Sequence, residues 1–156
     1  MITYKKGDAT SPQAKGRKII AHVCNDIGGW GRGFVTAISK RWPEPEKAYR
    51  AWYRDRSSND FALGSVQIVP VTEHISVANM VAQRGIKVSR SQGVPIRYGA
   101  LQQALAQVMA EAQRQNASVH MPRIGCGLAG GRWEEVEPLL HTALVGTEVE
   151  VIVYDF

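Results

Sequence analysis

The residues able to do chemistry in this chain gather in two glycine-rich loops. One reads Asn25-Asp26-Ile27-Gly28-Gly29-Trp30-Gly31-Arg32-Gly33-Phe34, the other Arg123-Ile124-Gly125-Cys126-Gly127-Leu128-Ala129-Gly130-Gly131. Each follows an apolar run of strand character and precedes a stretch with helical spacing. Glycine allows positive φ and leaves no Cβ between the backbone and a ligand. A strand that feeds such a loop into a helix start aims several N–H groups and the positive end of a helix dipole at one point. Two such loops in 156 residues imply a clamp on a polyanion, most simply a diphosphate.

Other polar residues flank these loops. Asp8, in Gly7-Asp8-Ala9-Thr10, could accept hydrogen bonds from an amine or a ribose hydroxyl, or it could cap a turn. Asn25 ends an apolar strand, where its amide could fix a sugar hydroxyl or shape the turn. Asp26 reads as a solvated turn residue, and His22, inside the strand, as a satisfied core histidine. Trp42, Trp52 and Trp133 read as core. Trp30 is the exception, since an indole between glycines is hard to bury and could close over a ligand.

The string Gly125-Cys126-Gly127-Leu128-Ala129-Gly130 matches G-x-G-x-x-G. Only one strand follows it, so no complete dinucleotide-binding half can be built behind it, although its amides could still cradle a diphosphate. There is no Ser-His-Asp order, no HExxH and no paired metal-ligand spacing. Cys24 and Cys126 make neither a disulfide framework nor a zinc set. Neither a metal nor a cofactor is expected.

The elements that must position these loops alternate. Strands are expected at 2–5, 18–23, 65–69, 75–81, 118–121 and 149–154, and helices at 33–41, 45–54, 97–115 and 133–144. Six strands interleaved with helices imply an α/β architecture with a mixed, largely parallel sheet, and ligand loops at the carboxyl ends of its strands. The irregular stretch 83–95, carrying Gly85, Lys87, Arg90 and Gly93, is a candidate functional loop.

Composition sets the frame. With 44% hydrophobic and 21% charged residues the chain reads as one globular domain over 1–156. A net charge of +5 and a pI near 9.4 favour an acidic ligand or a nucleic-acid-linked one, or simply aid solubility. No signal segment or spanning run is visible, so a cytoplasmic location and no membrane partner are expected. Nothing in the sequence demands more than a monomer.

Taken together, these residues resemble the macro domain, the ADP-ribose-binding fold, over nearly the whole chain. The resemblance rests on Gly7-Asp8-Ala9-Thr10, on Ile20-Ala21-His22-Val23 leading to Gly31-Arg32-Gly33-Phe34, and on Met121-Pro122-Arg123-Ile124-Gly125-Cys126-Gly127-Leu128 followed by Trp133. The Ala-His pair and the Met-Pro-Arg-Ile-Gly-Cys-Gly-Leu string look most like the branch containing the terminal ADP-ribose protein glycohydrolases and their bacterial relatives. The resemblance implies a three-layer α/β/α sandwich. It assigns Asp8 to the adenine amino group with Ala9 contributing backbone, and Asn25, Gly31, Arg32, Gly33 and Phe34 to the distal ribose. It assigns Gly125, Cys126, Gly127 and Leu128 to the diphosphate and Tyr154 to Phe156 to the adenosine half, and Trp30 and Ile124 are expected to touch the ligand as well.

The same branch implies a catalytic lysine after the 75–81 strand and an aspartate in the second loop. Here Gln83-Arg84 and Ala129 stand in those places. Neither an amide nor a permanently protonated guanidinium can attack the opened ribose as a lysine amine does. Three readings follow. The first is a mono-ADP-ribosyl hydrolase in which Gln83 and Asn25 orient the groups and Arg84 stabilises charge around an attacking water. Its substrates would be ADP-ribose on acidic side chains or related esters. The second is a reader of terminal ADP-ribose on protein or nucleic acid, and the third an ADP-ribose 1″-phosphate phosphatase.

Overall fold

A computed structural model of the chain describes residues 1–86 and 93–156. Lys87 and Arg90 of the expected functional loop lie outside the described residues. The elements run β1 (Ile2–Lys6), β2 (Lys18–Asn25), α1 (Phe34–Arg41), α2 (Glu44–Arg54), β3 (Val66–Pro70), β4 (Ile75–Gln83), α3 (Tyr98–Gln115), β5 (Ser118–Met121), α4 (Trp133–Leu144) and β6 (Val151–Asp155). One six-stranded sheet has the order β1-β6-β5-β2-β4-β3. Every pairing is parallel except β3 with β4, which form an antiparallel pair at one edge.

Strand periodicity divides β2 between two cores. Ile19 and Ala21 face α3 and α4, joining Met80, Leu101, Leu105, Met109, Val119, Met121 and Leu140. Ile20 and Cys24 face the other way, with Trp30, Ile38, Tyr49, Trp52 and Val77. The sheet is therefore covered on both faces, which is why β2 reads as a continuous apolar run and not as an alternating one. Burying side chains such as Leu101 or Ile19 completely contributes roughly 1.5–3 kcal/mol each.

The strands that point at the candidate site are longer than the sequence implies. β2 continues to Asn25 and β4 to Gln83, so both polar residues end strands and do not float in loops. Strand hydrogen bonding carried them past the last strongly apolar residue. Proline shapes the start of α2, where Pro45 occupies the first turn and its missing N–H goes unneeded. The helix nevertheless opens one residue earlier, at Glu44. Helix α3 ends with Asn116 in the left-handed conformation, which turns the chain sharply into β5.

Candidate functional site

The first glycine loop is built around the side chain of Asn25. Its Oδ1 accepts from the amides of Ile27 and Gly29, both at 3.0 Å, and its Nδ2 donates to the Gly29 carbonyl at 2.9 Å. The buried Tyr49 hydroxyl lies 2.6 Å from the Asn25 carbonyl and 2.9 Å from Oδ1. Asn25 is thus the internal brace of the loop, and its amide is committed before any ligand arrives. Asp26 ties this loop to the segment after β4, its Oδ1 accepting from the Gly85 amide at 2.8 Å.

Trp30 departs from expectation. It is buried in the α2-side core, its indole N–H donates to Ser39 Oγ at 2.7 Å, and its ring packs on Tyr49 at 5.5 Å. The loop folds back beneath α1, so the indole anchors the loop and does not cover a ligand. Gly33 then opens α1 with φ of 77°, a conformation that L side chains rarely adopt. The first amides of this helix have no intrahelical acceptors.

The second loop leaves β5 through Pro122 and closes on itself. The Gly131 amide donates to the Gly125 carbonyl at 2.7 Å, and a Cβ on Gly131 would fall 2.2 Å from that oxygen. Gly125 and Gly127 have φ of 75° and 66°, and a Cβ on Gly127 would meet nothing within 4 Å. That side of Gly127 faces open space. Arg123 leaves the loop for the sheet edge, where it bonds both carboxylate oxygens of Asp155 at 2.6 and 3.1 Å and lies over the rings of Tyr4 and Trp133.

Between the loops lie two cavities of about 490 and 400 Å³, which share Val23, Arg32, Val35, Gln83 and Leu128 as walls. The larger is lined by Gly33, Phe34 and the run from Pro122 to Ala129, the smaller by Asn25, Gly29, Gly31 and Ile86. They form one cleft across the carboxyl ends of β2, β4 and β5. Of the residues expected to bind ligand, Asn25, Gly31, Arg32, Gly33, Phe34, Ile124, Gly125, Cys126, Gly127 and Leu128 line it. No carboxylate and no lysine is among its described walls.

Four expected residues sit toward the ends of β1 and β6, outside both cavities. Asp8 accepts from the Thr10 amide and hydroxyl and pairs with Arg41 at 3.3 Å. Burial would raise its pKa, but the Thr10 and Arg41 bonds outweigh it and hold the carboxyl below its ordinary value. Ala9 is buried, Tyr154 is buried with its hydroxyl 2.7 Å from His120 Nδ1, and Phe156 is fully exposed. Arg84 lines neither cavity; its amide donates to the Pro95 carbonyl.

Gln83 and Arg32 are the polar side chains placed where both cavities meet. Gln83 donates from Nε2 to the Gly85 carbonyl at 3.0 Å, which leaves Oε1 with no acceptor role toward any described residue. Sequence reasoning missed Ile86, which walls the smaller cavity, and Tyr49, whose place on the apolar side of α2 concealed its polar task. It also read His22 as fully satisfied. His22 lines the larger cavity, and its buried Nδ1 has no partner among the described residues. Both cleft thiols are pushed up by burial, Cys24 strongly and Cys126 less so. Among the described residues no group of three or more His, Cys, Asp or Glu is placed to hold a metal ion, and no helix is long and apolar enough to cross a membrane.

A covered mixed sheet with two amide-rich loops at the carboxyl ends of its strands defines an α/β/α sandwich that binds polyanions. The macro domain family model matches residues 21–140, and the chain belongs to that family, whose members bind ADP-ribose. A macrodomain protein from Streptomyces coelicolor is 54% identical, with a TM-score of 0.89 over 100% of this chain and 99% of that one. The chromodomain-helicase-DNA-binding protein 1-like of Mus musculus is 33% identical over 99% of this chain, which spans 18% of that protein's length. The ADP-ribose 1″-phosphate phosphatase of Lodderomyces elongisporus is 26% identical, over 89% of this chain and 90% of its own.

Proposed function

We propose that this domain binds ADP-ribose along the joined cavities and releases it, by attack of water, from acidic side chains or related esters. The observation that carries the reading is the convergence of both glycine loops on a cleft whose shared wall holds Gln83 and Arg32. The amides of Gly125 to Leu128 and the start of α1 take the diphosphate. Asp8, Tyr154 and Phe156 lie on the side that receives adenosine. The distal ribose enters the smaller cavity beside Asn25.

The chemistry follows from what the walls supply. Gln83 and Arg84 stand where the related glycohydrolases carry a lysine, so the proposed route uses no lysine adduct and relies on water as the nucleophile. With no carboxylate in the described walls, no strong general acid protonates a leaving group. A carboxylate leaves as a stable anion, its conjugate acid having a pKa of about 4. Ester-linked ADP-ribose therefore suits this cleft better than a linkage whose leaving group needs a proton. The water oxygen bonds to C1″ of the distal ribose as the bond from C1″ to the carboxylate oxygen breaks, the carboxylate keeping the electron pair. Gln83 Oε1 accepts a hydrogen bond from that water, and Arg32 opposes the negative charge on the departing carboxylate. The water's proton passes to solvent, and diphosphate binding fixes the geometry.

The same poverty of acid and base favours a second reading, a module that binds terminal ADP-ribose without turnover. The likeness to a phosphatase adds ADP-ribose 1″-phosphate as a third substrate to test. The deciding assay follows ADP-ribose release from a protein modified on glutamate or aspartate, beside calorimetry with free ADP-ribose. Release faster than spontaneous hydrolysis establishes the hydrolase. Binding without release, on the ester and on the 1″-phosphate alike, establishes the reader, and no binding refutes both.

A further inference from the structure

Helix α1 has the cleft at one end and a polar relay at the other. Gly33, Phe34 and Val35 at its start line the larger cavity, and Arg41 is its last residue. From there the Arg41 side chain reaches the turn that follows β1. Its Nε donates to Thr10 Oγ1 at 2.8 Å, and its Nη2 to Asp8 Oδ2 at 3.3 Å. The Thr10 hydroxyl has one proton, given to Asp8 Oδ1 at 2.7 Å, so its oxygen accepts from Arg41. The Thr10 amide donates to the same Oδ1 at 2.8 Å.

This relay divides the two oxygens of the Asp8 carboxylate. Oδ1 takes two donors from Thr10, which is 2% exposed, and both bonds are part-buried. Oδ2 accepts only from Arg41 among the described residues, so it has room for another donor. That bond lies at the surface, and the Asp8 side chain is 40% exposed, so a ligand can reach it. An ion pair so exposed adds little to the stability of a fold. What Arg41 does is hold the plane of the carboxyl and cancel a negative charge that would repel an anionic ligand.

We infer that Arg41 is a positioning residue for the nucleoside end of the ligand, acting through Thr10 and Asp8 to present one acceptor oxygen to an amino group on the base. The inference rests on the ADP-ribose reading, which puts the diphosphate at the start of α1 and leaves the nucleoside to extend toward β1. Ring nitrogens and phosphate oxygens of that ligand are acceptors and are turned away by Oδ2, whereas an exocyclic amino group donates to it. Arg41 itself touches no ligand. It sets a preference for an amino-bearing base from outside the cleft.

The test is calorimetry on the full chain with two probes, ADP and purine riboside 5′-diphosphate, which is ADP without its amino group. The unsubstituted protein should favour ADP by about tenfold or more, the worth of one hydrogen bond to a charged group. Arg41→Met keeps the stem and removes the guanidinium. It should cut that preference to less than about threefold, while the melting temperature falls only slightly. Thr10→Val interrupts the relay from its other side and should lower the preference in the same direction, so either variant decides if the other fails to fold. A retained preference in the folded variant overturns the inference. So does an equal loss for both probes, because a purely structural or long-range charge effect does not distinguish them. Equal binding of both probes by the unsubstituted protein overturns the inference but not the ADP-ribose reading. Failure of both ADP and ADP-ribose to bind overturns both.

Discussion

Asn25 and Gln83 face each other across the last rung of the β2–β4 ladder. Cys24 pairs with Val81, and the next pair is Asn25 with Gln83, so Ala82 is the extra residue of a bulge. Ala82 remains in the α3-side core while Gln83 turns to the cleft. Bulges of this kind re-aim a side chain at the rim of a sheet. The two amides that sequence alone treats as equivalent thereby acquire different tasks. Asn25 holds its own loop together, and Gln83 faces the space where the cavities join.

Replacing Gln83 with alanine separates those tasks. The side chain makes one described hydrogen bond, to the Gly85 carbonyl, so its loss should cost about 0.5–1.5 kcal/mol of stability. ADP-ribose affinity by calorimetry should change less than about threefold, because the diphosphate contacts lie elsewhere. Release of ADP-ribose from an esterified carboxylate should fall by about 10²-fold, the lower range for a group that positions a proton-transfer partner. Unchanged turnover would remove Gln83 from the mechanism.

Two glycines of the second loop should fail in different ways. Gly127 opens onto free space, so Gly127→Glu adds a strained positive φ costing about 1–2 kcal/mol and a carboxylate where the diphosphate is placed. Its melting temperature should fall only modestly, while ADP-ribose binding is lost. Gly131→Ala instead drives a methyl group into the Gly125 carbonyl, a backbone atom that cannot step aside. Destabilisation of about 1–3 kcal/mol or more is expected, seen as a lower denaturation midpoint even without ligand. If Gly127→Glu binds normally, the loop is not the diphosphate site.

Tyr49→Phe tests the brace. The hydroxyl has one proton to give and lies nearer the Asn25 carbonyl, while Oδ1 already accepts from the Ile27 and Gly29 amides, so its removal leaves the buried carbonyl without this donor at a cost of about 1–3 kcal/mol. Because Asn25 sets the shape of residues 25–29, the variant should also weaken ADP-ribose binding although Tyr49 lines neither cavity. A variant that loses stability but keeps full affinity would confine Tyr49 to the core.

These cases show what was legible in the sequence. Glycine spacing announces both loops because the need for positive φ at Gly33, Gly125 and Gly127 leaves few other residues open. Apolar periodicity finds every strand and α-helix of the described chain to within a few residues, and misses the two 3₁₀ turns Arg56–Ser58 and Gly127–Ala129. It cannot find the bulge at Ala82, which depends on strand register and not on side-chain type. Nor can it tell that Trp30 is buried, because the loop around it folds back under a helix distant in local pattern. His22 is the sharpest miss. A histidine within apolar residues reads as satisfied core, and only the fold shows that Nε2 meets Asn79 Oδ1 at 2.5 Å while the buried Nδ1 has no partner among the described residues.

The two buried histidines give the protein an acid-sensitive interval. Burial lowers His22 to about 4, against a partial upward pull from Asn79, and burial with the charges of Lys18 and Lys5 lowers His120 to about 4. In the unfolded chain both take up a proton near pH 6.5. Between those values the unfolded state binds more protons, so acid favours unfolding. The stability contributed by these neutral imidazoles is held above about pH 6.5 and drains as pH falls toward about 4. Each contributes a slope of up to about 1.4 kcal/mol per pH unit. Urea denaturation at intervals from neutral pH downward should show that decline. A flat profile across the interval would mean that His22 and His120 are solvated in the folded protein and not sealed in its core.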